Sequence, residues 1–129
     1  KHKLAKTVML ETLNNIGNLA YNLNDKLCSD FTEAELSFII TINEEPPNDD
    51  SVTASFNALN KQIETIGKKL DSELTGPFKK TRTRFYEFTR LFAQDPQLEN
   101  LRDFRKAVEQ INQMGFDTTQ QKTPPPQQP

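Results

Sequence analysis

Seven apolar residues, Val52, Phe56, Leu59, Ile63, Ile66, Leu70 and Leu74, follow one another at steps of four, three, four, three, four and four. That spacing keeps one side of an α-helix apolar for about three heptads. A strand would scatter the same residues over both faces, because its side chains alternate with a period of two. Lys61, Glu64, Lys68, Lys69, Asp71 and Glu73 fill the outer faces. The pattern predicts a long helix capped by Asp50 or Ser51 and ended by Gly76-Pro77, with Gly76 just past its end and Pro77 opening the next helix. Such a seam must be covered, by other helices of the same chain or by a partner helix.

The segments on either side have the means to cover it. From about Lys3 to Cys28 the residues Leu4, Val8, Leu13, Ile16, Leu19, Leu23 and Leu27 recur at helical spacing. Thr32-Glu33-Ala34-Glu35 reads as a capping box opening a short helix over about 33–43 that is apolar almost all round, through Leu36, Phe38, Ile39, Ile40 and Ile42. Asn43 to Asp50, with Pro46 and Pro47, reads as a loop. A fourth helix spans about Pro77–Ala93, with Phe78, Thr81, Phe85, Phe88 and Phe92 inward. Asp95-Pro96 caps a fifth that runs to about Met114, with Leu98, Leu101, Phe104 or Arg105, Val108 and Ile111 inward and Gly115 ending it. No hairpin turn, strand pairing or internal repeat is present. The fold expected is an all-α antiparallel bundle of four to five helices, with a bundle domain over 1–116 and a disordered Pro/Gln-rich tail or linker over 117–129.

Composition removes several function classes. In 129 residues, 34% are hydrophobic, which a single domain can afford only if polarity is concentrated in loop and tail. No apolar run approaches the ~18 residues of a membrane span. One cysteine, Cys28, makes no disulfide, and the one histidine, His2, stands beside a terminus rather than on a capped element. Gly17, Gly67, Gly76 and Gly115 are isolated, so no phosphate-cradling loop exists. The reading is non-enzymatic, with no catalytic residue, metal site or cofactor. The acids Glu33, Glu35, Glu44, Glu45, Asp49 and Asp50 leave divalent-cation binding as a second alternative, although the ligand order of an EF-hand is missing.

What stands out is charge segregation beneath a net charge of −2. Asp30 to Asp50 carries seven acids and no Lys or Arg. Phe78 to Phe92 carries Lys79, Lys80, Arg82, Arg84 and Arg90 against Glu87 alone. On a helical wheel Lys79, Arg82, Tyr86 and Arg90 flank the phenylalanine stripe on one side, Lys80 and Arg84 on the other. These six residues are the candidate partner-binding patch. The alternatives are that the cations only snorkel round the stripe, or pair with the 30–50 region within the molecule or across a dimer. The function expected is a protein-interaction module, scaffold- or adaptor-like, for a partner protein with an acidic surface. The alternative is an anion-binding module for acidic phospholipid or nucleic acid through the same helix. Nucleic acid is disfavoured by a sequence pI of about 5.4, and a membrane surface by the need for the phenylalanines in the core. A homodimer through the third helix is a further expectation. The start at Lys1 and the Pro/Gln end suggest a piece of a larger protein, and the Asn/Gln/Lys/Thr-rich composition a bacterial secreted or accessory one; cytoplasm and secretion into a host cytosol both fit.

Overall fold

The structure is a computed structural model and describes residues 1–114. The helix-ending Gly115 and the tail expected over 117–129 lie outside the described residues. The chain forms α1 (His2–Tyr21), α2 (Asp25–Ile42), α3 (Asp49–Lys69), α4 (Ser72–Ala93), a single 3-10 turn (Pro96–Leu98) and α5 (Arg102–Gln113). Among the described residues there is no strand, and the all-α bundle is the fold.

Four helix boundaries differ from the sequence reading: the α1–α2 junction, the cap of α3, the α3–α4 link and the start of α5. The first helix ends at Tyr21 rather than near Cys28, and Asn24 opens α2, its Oδ1 accepting from the Leu27 N–H at 2.7 Å. Thr32 and Glu35 therefore lie inside a helix and form no capping box. Asn is at least as good an N-cap as Thr, and Asp25 adds a carboxylate to the first turn, where the helix dipole favours it. Starting there also lets Leu27, Phe31, Phe38 and Ile42 form one buried stripe. At the start of α3 the cap is Asn48, accepting from the Ser51 N–H at 2.9 Å, and not Asp50 or Ser51.

The third difference is the α3–α4 link. Leu70 and Asp71 take extended conformations, and Gly76-Pro77 falls inside α4 instead of ending α3. A proline at the sixth position of a helix removes one bond, the one to the Glu73 carbonyl, and Gly76 has no Cβ to clash with the ring that follows it. Lys68 and Lys69 close α3 where its dipole favours cations, and Glu73 sits in the first turn of α4. Finally, the expected fifth helix is split. Asp95 caps only the 3-10 turn, accepting from the Gln97 N–H at 3.0 Å, and α5 begins six residues after Pro96.

Five of the seven seam residues, Val52, Phe56, Leu59, Ile63 and Ile66, are buried on α3, while Leu70 falls just past its end and Leu74 in α4, both half-buried. The seam is covered by α2, α5 and α4 of the same chain. Phe38, Phe56 and Phe104 join α2, α3 and α5 in one ring cluster, with centroids 5.3–6.2 Å apart and the Phe56–Phe104 pair edge-to-face. Gly67 lets α3 approach α4 closely, because a Cβ there would lie 2.6 Å from the Phe78 ring. The main neighbours of α1 are α4 and α2; α2 packs on α3; α5 packs on α3 and α4. Helices α2 and α4 therefore occupy opposite corners, with α1 and α3 between them.

Candidate functional site

The cations of α4 are divided by the helix into two groups with different fates. The turn period sets Lys80, Arg84, Glu87 and Leu91 on the outer side, all exposed. The Arg84 guanidinium lies 5.0 Å from the centroid of the half-buried Phe88 ring, which positions the charge without hiding it. On the other flank Lys79 and Arg82 are half-buried. Arg82 lies 5.4 Å from the Phe78 ring centroid, and burial pushes its pKa down while Tyr86 and Glu64 oppose that shift. Arg90 is exposed and donates from Nε to Glu109 Oε2 of α5 at 3.2 Å.

Tyr86 corrects the expected patch. Its side chain is 4% exposed, and its hydroxyl donates to Asn60 Oδ1 of α3 at 3.0 Å. Burial and the nearby Glu64 raise its pKa, against a smaller lowering by Arg82. The buried face of α4 is wider than the phenylalanine stripe predicted. It includes Tyr86, Thr89 and Ala93 beside Phe78, Phe85 and Phe92, while Thr81 and Phe88 are only half-buried. α5 closes over that side, and Asn112 donates to the Tyr86 carbonyl at 3.3 Å. No base could stack on this ring without the bundle opening. The six expected residues thus form no single patch: Lys80 and Arg84 share one exposed face, and Lys79, Arg82, Tyr86 and Arg90 line the packed flank.

The helix that carries Asp30, Glu33 and Glu35, α2, has α3 and α1 rather than α4 as its main neighbours. Among the described residues, ion pairs join Lys26 to Asp30 within α2 and Arg90 to Glu109 between α4 and α5. Glu33, Glu44, Glu45 and Asp50 are exposed, and Glu35 is half-buried, where desolvation raises its carboxyl pKa. Asp49 is turned to a structural use, accepting from backbone N–H groups of α5. Among the described residues no three His, Cys, Asp or Glu side chains come together in a group that could hold a metal ion.

Two of the concave surfaces among the described residues involve expected site residues or the lone histidine. A groove of about 250 Å³ between α3, α4 and α5 is lined by Asn57, Asn60, Glu64, Arg82, Tyr86 and Met114. A wider cleft of about 550 Å³ at one end of the bundle contains His2, Lys6, Glu44, Glu45 and Asp95. His2 has neither Ser nor Cys beside it in that cleft. Cys28 is half-buried on α2 and carries a free thiol.

The exposed apolar pair Leu36 and Ile40 on α2, 53% and 61% exposed, was not foreseen as a surface. Its signal lay in the sequence: a helix that is apolar almost all round between 36 and 42 can bury only one face in a small bundle. Phe38 and Ile42 take that face. Among the described residues no helix is long and apolar enough to cross a membrane. Comparison of the chain with protein-family models, with curated proteins and with solved structures finds no match.

Proposed function

We propose that this chain is a non-catalytic protein-interaction module whose outward α4 face receives an acidic surface of a partner protein. The observation that carries the reading is the display of Lys80 and Arg84 on a helix whose opposite face is locked into the core. Cations held on a rigid helix lose little freedom on binding, and they steer an acidic partner toward the site. Phe78, Phe85 and Phe92 are committed to the interior, which argues against insertion into a lipid surface. The burial of Tyr86 takes that ring out of reach of a nucleobase. The net charge of −2 argues in the same direction.

A titration with a synthetic Glu-rich peptide at low and high salt tests the proposal. The peptide is expected to bind at low salt and to be released as salt rises. Lys80→Glu with Arg84→Glu should abolish that binding with helicity by circular dichroism unchanged. Binding that ignores this charge reversal overturns the reading. Binding of phosphatidylserine vesicles or of a DNA oligonucleotide in preference to the peptide overturns it in favour of a general anion-binding module.

A further inference from the structure

Two exposed helix faces on opposite corners of the bundle have matching patterns. On α2, Glu33, Leu36 and Ile40 follow at steps of three and four and all face solvent. On α4, Arg84, Phe88 and Leu91 follow at steps of four and three; Arg84 and Leu91 are exposed and Phe88 is half-buried. Each face spans eight residues, begins with a charge and continues with two apolar side chains. The charges are opposite. Laid side by side in the same chain direction, Glu33 meets Arg84, Leu36 meets Phe88 and Ile40 meets Leu91. The ends of the two runs coincide and the middle pair is offset by one residue, about 1.5 Å along the axis, so the contact is a charge pair beside two apolar pairs rather than a heptad register. The wider surroundings agree in sign, since the 30–50 region carries seven acids and no cation, while Lys80 precedes Arg84 by one turn.

The two faces cannot meet within one molecule, because α1 and α3 separate α2 from α4. We infer that a second copy of this chain is the occupant: the α2 face of one copy docks on the α4 face of the next. This rests on the α4 reading above and specifies its partner. The contact is heterologous, so each copy that joins leaves one live face at either end, and growth continues into a ring or an open chain. One helix lying on one helix over two turns buries well under the roughly 1,600 Å² of a standard interface. The association is therefore weak, dependent on concentration and weakened by salt.

Sedimentation equilibrium of the full chain over a wide concentration range is the first test, with mass expected to rise above the monomer and to fall back at high salt. Leu36→Lys with Ile40→Lys disables the α2 face, and Lys80→Glu with Arg84→Glu disables the α4 face. All four residues are exposed, and circular dichroism checks that each variant keeps its helicity; Ile40→Gln alone serves as a milder α2 variant and should weaken association. Each double variant alone should be monomeric, and an equal mixture of the two should stop at a dimer. A wild type that remains monomeric at all concentrations overturns the inference, as does a double variant that still self-associates, since that means a symmetric contact through one face. If the wild type is monomeric while the Glu-rich peptide still binds and responds to the Lys80/Arg84 reversal, self-association falls and the α4 reading stands. If neither occurs, both fall.

Discussion

The carboxylate of Asp49, in the first turn of α3, caps α5 across 54 residues of chain: Oδ1 accepts from the Phe104 N–H at 3.0 Å and Oδ2 from the Asp103 N–H at 2.9 Å. Helix α5 has no side-chain cap of its own, since Leu101 occupies its N-cap position. Thr53 steadies the carboxylate by donating to Oδ1 at 3.2 Å. Phe104 is also the α5 member of the ring cluster, so the hydrogen bonds and the rings fix the same end of the same helix. Asp49→Ala leaves these amides without their acceptor and should cost about 1–3 kcal/mol, the range for a lost cap and for stranded amides. Urea denaturation measures the loss. Hydrogen exchange at the Asp103 and Phe104 amides should accelerate more than at α1 amides, because the defect is local to α5.

Gly67 of α3 faces the ring of Phe78 in α4. Alanine would favour the helix by up to about 1 kcal/mol on propensity. Its Cβ, however, would sit 2.6 Å from Cε2 of a ring that is 1% exposed and has no room to retreat. Overpacking outweighs propensity, and Gly67→Ala should destabilise the protein by about 1–3 kcal/mol. Phe78→Leu in the same molecule removes the overlap, so the double variant should be more stable than the sum of the two single effects predicts. Additivity in that cycle would mean that the two residues do not collide.

Much of the fold was legible because burial repeats with the helical turn. The buried part of the α3 seam, Phe78, Phe85 and Phe92 of α4 and the inward Leu98, Leu101, Phe104 and Val108 all follow from spacing alone. Boundaries were harder where two local signals competed, as with Asn24 against Thr32, or Leu70-Asp71 against Gly76-Pro77. A single-segment reading weighs the caps, whereas the choice is made by which break aligns the whole buried stripe. The surface was least legible. A wheel of α4 alone could not reveal that α5 lies over Tyr86, nor that Asp49 serves a helix far along the chain. Those are tertiary facts with no local signature.

Pro77 illustrates the competition between local and global terms. It is exposed and lies inside α4, where the Glu73 carbonyl loses its helical donor. Replacing Pro77 by alanine restores that donor and a better helix former; the loss of a chain constraint in the unfolded state returns about 0.4–1 kcal/mol of the gain. The net expectation is a stabilisation of about 1–2 kcal/mol, read as a raised thermal midpoint with no change in helix packing. A lower midpoint would mean that the proline ring contributes packing that its exposure does not suggest.

Tyr86 gives a pH-dependent prediction with a defined sign. Its hydroxyl bonds Asn60 Oδ1, and burial raises its pKa in the folded state above the unfolded value of about 10. A group with a raised folded pKa contributes its stability fully below the unfolded pKa and loses it as pH rises toward the folded one. Near neutral pH, Tyr86→Phe should therefore be less stable than the wild type by about 0.5–1.5 kcal/mol, through the lost hydrogen bond. Above about pH 10 the wild type should lose stability more steeply than Tyr86→Phe, and the gap between them should close. The chain has two tyrosines, so in a Tyr21→Phe background the phenolate absorbance reports Tyr86 alone. That absorbance should appear only together with the loss of helicity by circular dichroism. Ionisation of Tyr86 in a fully helical protein would mean that the hydroxyl reaches solvent without the bundle opening, and would return this residue to the exposed flank of α4.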